Sequence, residues 1–215
     1  MMYNYSYKKR VLKICALLVL PLAAFGQSAI ELTKEIETTY LSGEAVSATF
    51  SLGDAGKMSL TVSPHTNKFR LETKQELIVS DGATTWNFNK EKKQVVIDAT
   101  GGAKRKDVMS ISNIFIFSNN YSASLASSKR NKYELVLTPL DPVKTIFDKA
   151  GISSMIFSLE RKAAGKPLKI KNISANSKGI KTKLGNIQIT PMKKIPTSTF
   201  TFVPPKGVKV IDLRD

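Results

Sequence analysis

Reactive side chains are scarce in this sequence, whose 215 residues include one cysteine, one histidine and one tryptophan. A single cysteine excludes a disulfide framework within the chain and any cysteine-rich metal site. His65, in the turn Pro64-His-Thr-Asn67, has no second imidazole with which to build a zinc site or a proton relay. No G-x-S-x-G motif supplies a serine nucleophile. Gly101-Gly102 ahead of Lys104 lacks the spacing and the strand-to-helix setting of a phosphate loop. The carboxylates are dispersed among lysines, so no glycosidase-like pair stands out. No catalytic residue, metal ligand or cofactor is expected, and the chain reads as a binding protein and not an enzyme.

Acidic residues are also few, 17 against 33 lysines and arginines, for a formal charge of +16. The cations are spread along the chain and give a well-solvated surface; a nucleic-acid partner is not expected. Their densest cluster is Lys104-Arg105-Lys106. There is no repeat or low-complexity segment, and the length suits one domain.

The start of the chain has the order of a secretory signal peptide. Lys8, Lys9, Arg10 and Lys13 precede an apolar run over 14–25, whose end is marked by the small residues Ala23 and Ala24 and the following Gly26. The run is shorter than the roughly 20 residues that span a bilayer. Residues 1–26 are therefore expected to be removed, taking Cys15 with them. Loss of those four cations lowers the formal charge from +16 to +12 on a domain of residues 27–215. A bacterial, periplasmic location is the expectation.

Ser28-Ala-Ile-Glu31 fits a capping box, and Leu32, Ile36 and Tyr40 recur four apart, which predicts an N-terminal helix through about Leu41. Beyond Gly43 the period becomes two: Val46, Ala48, Phe50, then Met58, Leu60, Val62, then Phe69 and Leu71. That is an antiparallel meander with one apolar face. Asp81-Gly82 reads as a two-residue hairpin turn. Trp86 and Phe88 share a face of the following strand, and Val95 and Ile97 continue the alternation after a turn at Asn89-Lys-Glu-Lys92. Asp107 can cap a second helix through Ile111, Ile114 and Phe115, ended by Asn119-Asn120. Further strands are expected over 133–137, 154–161, 167–174, 179–190, 200–203 and 208–213. The total is ten or eleven short strands with two helical interruptions, a mainly β (α+β) chain whose curved sheet needs its apolar face covered.

Two segments resemble a known family. Leu77-Ile-Val-Ser-Asp-Gly-Ala-Thr-Thr-Trp-Asn-Phe-Asn89 is similar to a strand, turn and tryptophan strand of LolA-type outer-membrane lipoprotein carriers. Phe200-Thr-Phe-Val-Pro-Pro-Lys-Gly-Val-Lys-Val210 is similar to the ending of that family. Pro64 to Arg70 and Tyr133 to Pro139 fit the same order. The resemblance implies an unclosed antiparallel β-barrel, a half-barrel of about 11 strands, with an α-helical lid. It implies a periplasmic chaperone that hides the acyl chains of lipoproteins on their way from the inner to the outer membrane. The implied partners are acylated lipoproteins, an inner-membrane lipoprotein-releasing ABC transporter complex and an outer-membrane receptor, with the carrier itself a monomer. A variant of the same reading is a half-barrel that binds another lipid or glycolipid, or senses mislocalised lipoproteins.

The candidate acyl-chain lining is Phe50, Leu60, Phe69, Leu71, Trp86, Phe88, Val95 and Ile97 from strands, and the candidate lid residues are Leu32, Ile36, Ile111, Ile114 and Phe115. The chain departs from the family where an arginine that latches the lid commonly precedes the proline matching Pro64. Ser63 stands there, so the latch is weaker or is built from other groups.

Overall fold

A computed structural model describes residues 27–51, 56–99, 114–141 and 143–214. The expected leader, Ile111 and the cluster Lys104-Arg105-Lys106 lie outside the described residues. Just over half of the described residues are in strands, with few helical residues.

Helix α1 (Ala29–Tyr40) begins at the expected capping box. The Ser28 hydroxyl accepts from the Glu31 amide at 3.2 Å, and the Ser28 amide donates to the Glu31 carboxylate at 2.8 Å. Its stripe of Leu32, Ile36 and Tyr40 is buried. Each such aliphatic side chain is worth about 1.5–3 kcal/mol.

Strands β1 (Ala45–Ser51), β2 (Lys57–Ser63), β3 (Lys68–Glu72), β4 (Glu76–Asp81), β5 (Thr84–Asn89) and β6 (Gln94–Ala99) form the expected meander. A second group follows: β7 (Tyr121–Lys129), β8 (Lys132–Pro139), β9 (Ser154–Arg161), β10 (Leu168–Ser177) and β11 (Ile180–Lys183). β12 (Gly185–Met192) and β13 (Lys209–Asp212) return to the first group. The strand order is β12-β1-β2-β3-β4-β5-β6-β13 in one sheet and β11-β10-β9-β8-β7 in the other. Neither sheet closes on itself.

One stretch of chain joins the sheets. β11 pairs with β10, whereas β12, one residue later, pairs with β1. Between them the Leu184 amide donates to the Ile173 carbonyl at 2.9 Å.

The structure departs from the sequence reading, or adds to it, in four places. Among the described residues Ile114 and Phe115 stand in a turn, and a four-residue helix, α2 (Phe117–Asn120), forms where the sequence suggested an end; the expected helix over 107–113 lies outside the described residues. Residues 200–203 make no strand: a 3-10 turn, Thr197–Phe200, leads into extended chain without a ladder partner. β13 lies parallel to β6, so the larger sheet is not purely antiparallel. A short helix, α3 (Lys144–Lys149), carries the Lys144–Asp148 pair one turn apart.

The β4–β5 turn is wider than two residues, with Ser80 and Thr85 its last pair. The Asp81 carboxylate accepts from the amides of Ala83 and Thr84 at 2.9 and 2.7 Å. Gly82 has φ +94°, and a Cβ there would lie 2.6 Å from the Thr66 carbonyl oxygen. Gly82→Ala is expected to destabilise the fold by about 1–3 kcal/mol, read from urea unfolding.

Candidate functional site

Register decides which apolar side chains meet. Directly paired residues share a face, and neighbours along a strand alternate. Val46 pairs with Val62 and Ala48 with Leu60; Val62 pairs with Phe69, and Leu71 with Ile78. These residues form the inner face. Ile78 then pairs with Asn87, and Asn87 with Val96. Trp86 pairs with Val79 and Ile97, and Phe88 with Leu77 and Val95. Trp86, Phe88, Val95 and Ile97 therefore stand on the opposite, outer face from Leu60 and Phe69.

That outer face has its own cover. Val79 and Val95 are fully buried, Phe88 meets the ring of Phe202 at 5.7 Å, and the turn carrying buried Phe200 packs on β3 and β4. The segment over 197–202 thus covers part of the back of the sheet.

The inner faces of the two sheets share one core with α1 and α2. Within it lies an apolar hollow of about 90 Å³. Its walls are Ala48 and Phe50 of β1, Leu60 of β2, Met155 and Phe157 of β9, Ile173 of β10, Leu184, and Ile187 and Ile189 of β12. Ile114, Phe115 and Phe117 line its remaining side. Of the sequence candidates, Phe50, Leu60, Ile114 and Phe115 meet at the hollow. Phe69 and Leu71 belong to the surrounding core, and so do Leu32 and Ile36 beneath α1. The contributions of β9, β10 and β12 carry no mark in the sequence beyond alternation, seen in Ile187 and Ile189 between Asn186, Gln188 and Thr190.

The segment over 114–120 is pinned at its end, where the Asn120 carbonyl accepts from the Leu140 amide at 2.8 Å, and at two points before it. The Tyr121 hydroxyl donates to the Ile114 carbonyl at 3.0 Å, and burial pushes that phenol far above its usual range. The Glu37 carboxylate of α1 accepts from the Ser118 amide at 2.7 Å and from its hydroxyl at 3.1 Å. Phe117 sits edge-on to Phe115 and Phe157, with centroids 6.1 and 5.5 Å away.

A second set of bonds holds α1 to β9 and β10. The Arg161 guanidinium grips both oxygens of Glu35, one at 2.7 Å. Glu35 also accepts from the Leu168 amide at 3.0 Å, and the Tyr40 hydroxyl accepts from the Ile170 amide at 3.1 Å. The hydrogen bonds from Arg161 hold the Glu35 carboxyl below the usual carboxylate range, against the opposing effect of burial. Glu35 and Tyr40 thereby satisfy strand amides that β12 leaves unpaired where it turns away toward β1. Ser63 makes no bond to α1; its buried hydroxyl donates to the Glu44 carbonyl at 2.8 Å. Lys57, Lys68 and Arg70 do not reach α1 either; Arg70 faces Glu72 at 3.6 Å.

Among the described residues no three histidine, cysteine, aspartate or glutamate side chains gather as a metal site. No family model matches the chain, and no curated protein does. The crystal structure of an uncharacterized conserved protein from Thermus thermophilus is similar in fold, with a TM-score of 0.52 at 14% identity over 87% of this chain and 100% of that one.

Proposed function

We propose that this protein is a non-catalytic periplasmic carrier that shelters the acyl chains of lipoproteins between its two sheets. In this reading the sheets act as an unclosed barrel, with α1 and the 114–120 segment as its lid. The hollow is the supporting observation: it is walled by apolar side chains from both sheets and roofed by a segment held through a few identifiable hydrogen bonds. An acyl chain of about 16 carbons gains on the order of 12 kcal/mol from leaving water, at about 0.8 kcal/mol per methylene.

The hollow at about 90 Å³ is too small for such a chain; even a benzene-sized guest occupies engineered cavities of about 150 Å³. In this reading the arrangement described is the closed one. Loading requires Ile114, Phe115 and Phe117 to swing out, and the work of displacing them offsets part of the gain on binding, so that cargo can be released again.

The test is lipid and protein analysis of the full chain purified gently from a bacterial periplasm, by native mass spectrometry. Acylated lipoproteins are expected to accompany the wild type and to be lost from Ile114→Arg. Trp86→Arg, on the outer face, is expected to retain them. Free glycolipid or phospholipid in place of lipoprotein would favour the variant reading, a carrier of another lipid. Absence of any acyl species would sink both.

A further inference from the structure

Beside the hollow lies a cleft of about 520 Å³ between β10, β12 and the last turn of α1. Its origin is the change of partner at Leu184. β11 follows β10 over 180–183, but β12 departs toward β1, so β10 over 168–172 and β12 over 187–191 diverge. The amides of β10 at Leu168 and Ile170, which face away from β9, are taken by α1. β12, by contrast, is the last strand of its sheet and keeps one edge facing the cleft.

Ile187 and Ile189 line both the cleft and the hollow, so these two side chains are a shared wall. The rest of the cleft is mixed: Tyr40, Pro167, Ile170 and Pro191 stand among polar and basic side chains. Thr39, Gln188 and Thr190 line it with Lys169 and Lys171, and among the described residues no carboxylate does. Lys171 lies 3.5 Å from Glu160, which also faces Lys132 at 4.0 Å, so one carboxylate is shared by two lysines. Lys169 makes no ion pair among the described residues.

We propose that this cleft seats the polypeptide just beyond the acylated residue of the cargo, as an extended acidic segment added along the free edge of β12. This deepens the carrier reading and rests on it. The acyl chains would pass Ile187 and Ile189 into the hollow, and the chain that bears them would leave along the strand edge. A strand edge recognises main chain without regard to sequence, which suits a carrier of many cargoes. Lys169 and Lys171 add a preference for negative charge near the acylated end. Selectivity among cargoes thus comes from the first few residues of the passenger, not from its folded part.

The experiment uses the mature protein and two synthetic peptides carrying the same S-diacylglyceryl cysteine, one followed by aspartates and glutamates and the other by lysines. Binding is read by fluorescence anisotropy, with displacement of a fluorescent palmitate analogue measured in parallel. The acidic peptide is expected to bind about tenfold more tightly at low salt, the gap narrowing as salt screens it. Lys169→Glu with Lys171→Glu is expected to erase or invert the preference while palmitate affinity stays unchanged. Lys169→Gln, which breaks no ion pair among the described residues, should reduce the preference part-way. Equal binding of the two peptides, or a preference that survives the double substitution, overturns the cleft assignment alone. Failure of palmitate and both peptides to bind the wild type overturns the acyl-carrier reading as well.

Discussion

Phe117→Ala is expected to weaken the fold and strengthen ligand binding at the same time. Phe117 is almost wholly buried and touches the rings of Phe115, Tyr121 and Phe157. Truncating such a residue costs about 3–5 kcal/mol, the lost transfer energy plus that of the void left behind. The void, however, opens into the hollow of about 90 Å³. A fatty-acid probe would then meet a larger cavity and displace less protein on entering. Urea denaturation should show the loss of stability, and probe titration a lower dissociation constant. A residue with only a packing role would show the first effect without the second.

Arg161→Met is expected to loosen α1 along its whole length. The guanidinium and Glu35 are 13% and 25% exposed, so removing one partner strands a largely dry carboxylate. A fully buried pair broken in this way loses about 3–5 kcal/mol; with partial exposure about 2–4 kcal/mol is expected here. The loss should be local. Amide exchange should accelerate at Leu168 and Ile170, whose protons go to Glu35 and Tyr40, and at Ser118, which hangs from Glu37.

The same pair gives a pH signature. Glu35 titrates below its ordinary value of 4.5 in the folded chain, so the folded state favours the ionised form. Its contribution is present in full above the ordinary carboxylate pKa and is lost as pH falls through the depressed one. In the wild type this contribution to holding α1 should therefore begin to fall as the solution is acidified below about 4.5, and the Arg161→Met chain should lack that component of the slope.

Local signals were legible and long-range ones were not. The capping box of Ser28 and Glu31 and the stripe of Leu32, Ile36 and Tyr40 define α1 from neighbours a few residues apart. Alternation likewise marks β1, β2, β3, β5 and β6. It carries no sign, however: Phe69 and Trp86 look equivalent in the sequence, and only the register through Ile78 and Asn87 puts them on opposite faces. β7 is hidden because it alternates serine with alanine and leucine, side chains too small or too polar to announce a strand. The break at Leu184 has no local marker, because a change of partner depends on strands more than a hundred residues away. The Glu35–Arg161 clasp spans 126 positions, beyond the reach of any spacing rule. Nothing at Ser63, which bonds the Glu44 carbonyl, hints that α1 is held through Glu35 and Tyr40 instead.

The order of the larger sheet bears on how the chain acquires its shape. β1, near the start, gains its second neighbour only in β12, and β6, already paired with β5, gains its second only in β13. Both late strands come from residues 185–212. A ribosome or a translocation pore delivers the chain from its amino end, so the sheet keeps two raw edges until the final segment emerges. Such dependence on distant partners slows folding markedly compared with locally wired topologies. A polypeptide that cannot finish early stays threadable for longer, which is an advantage for any protein that must cross a membrane before it folds.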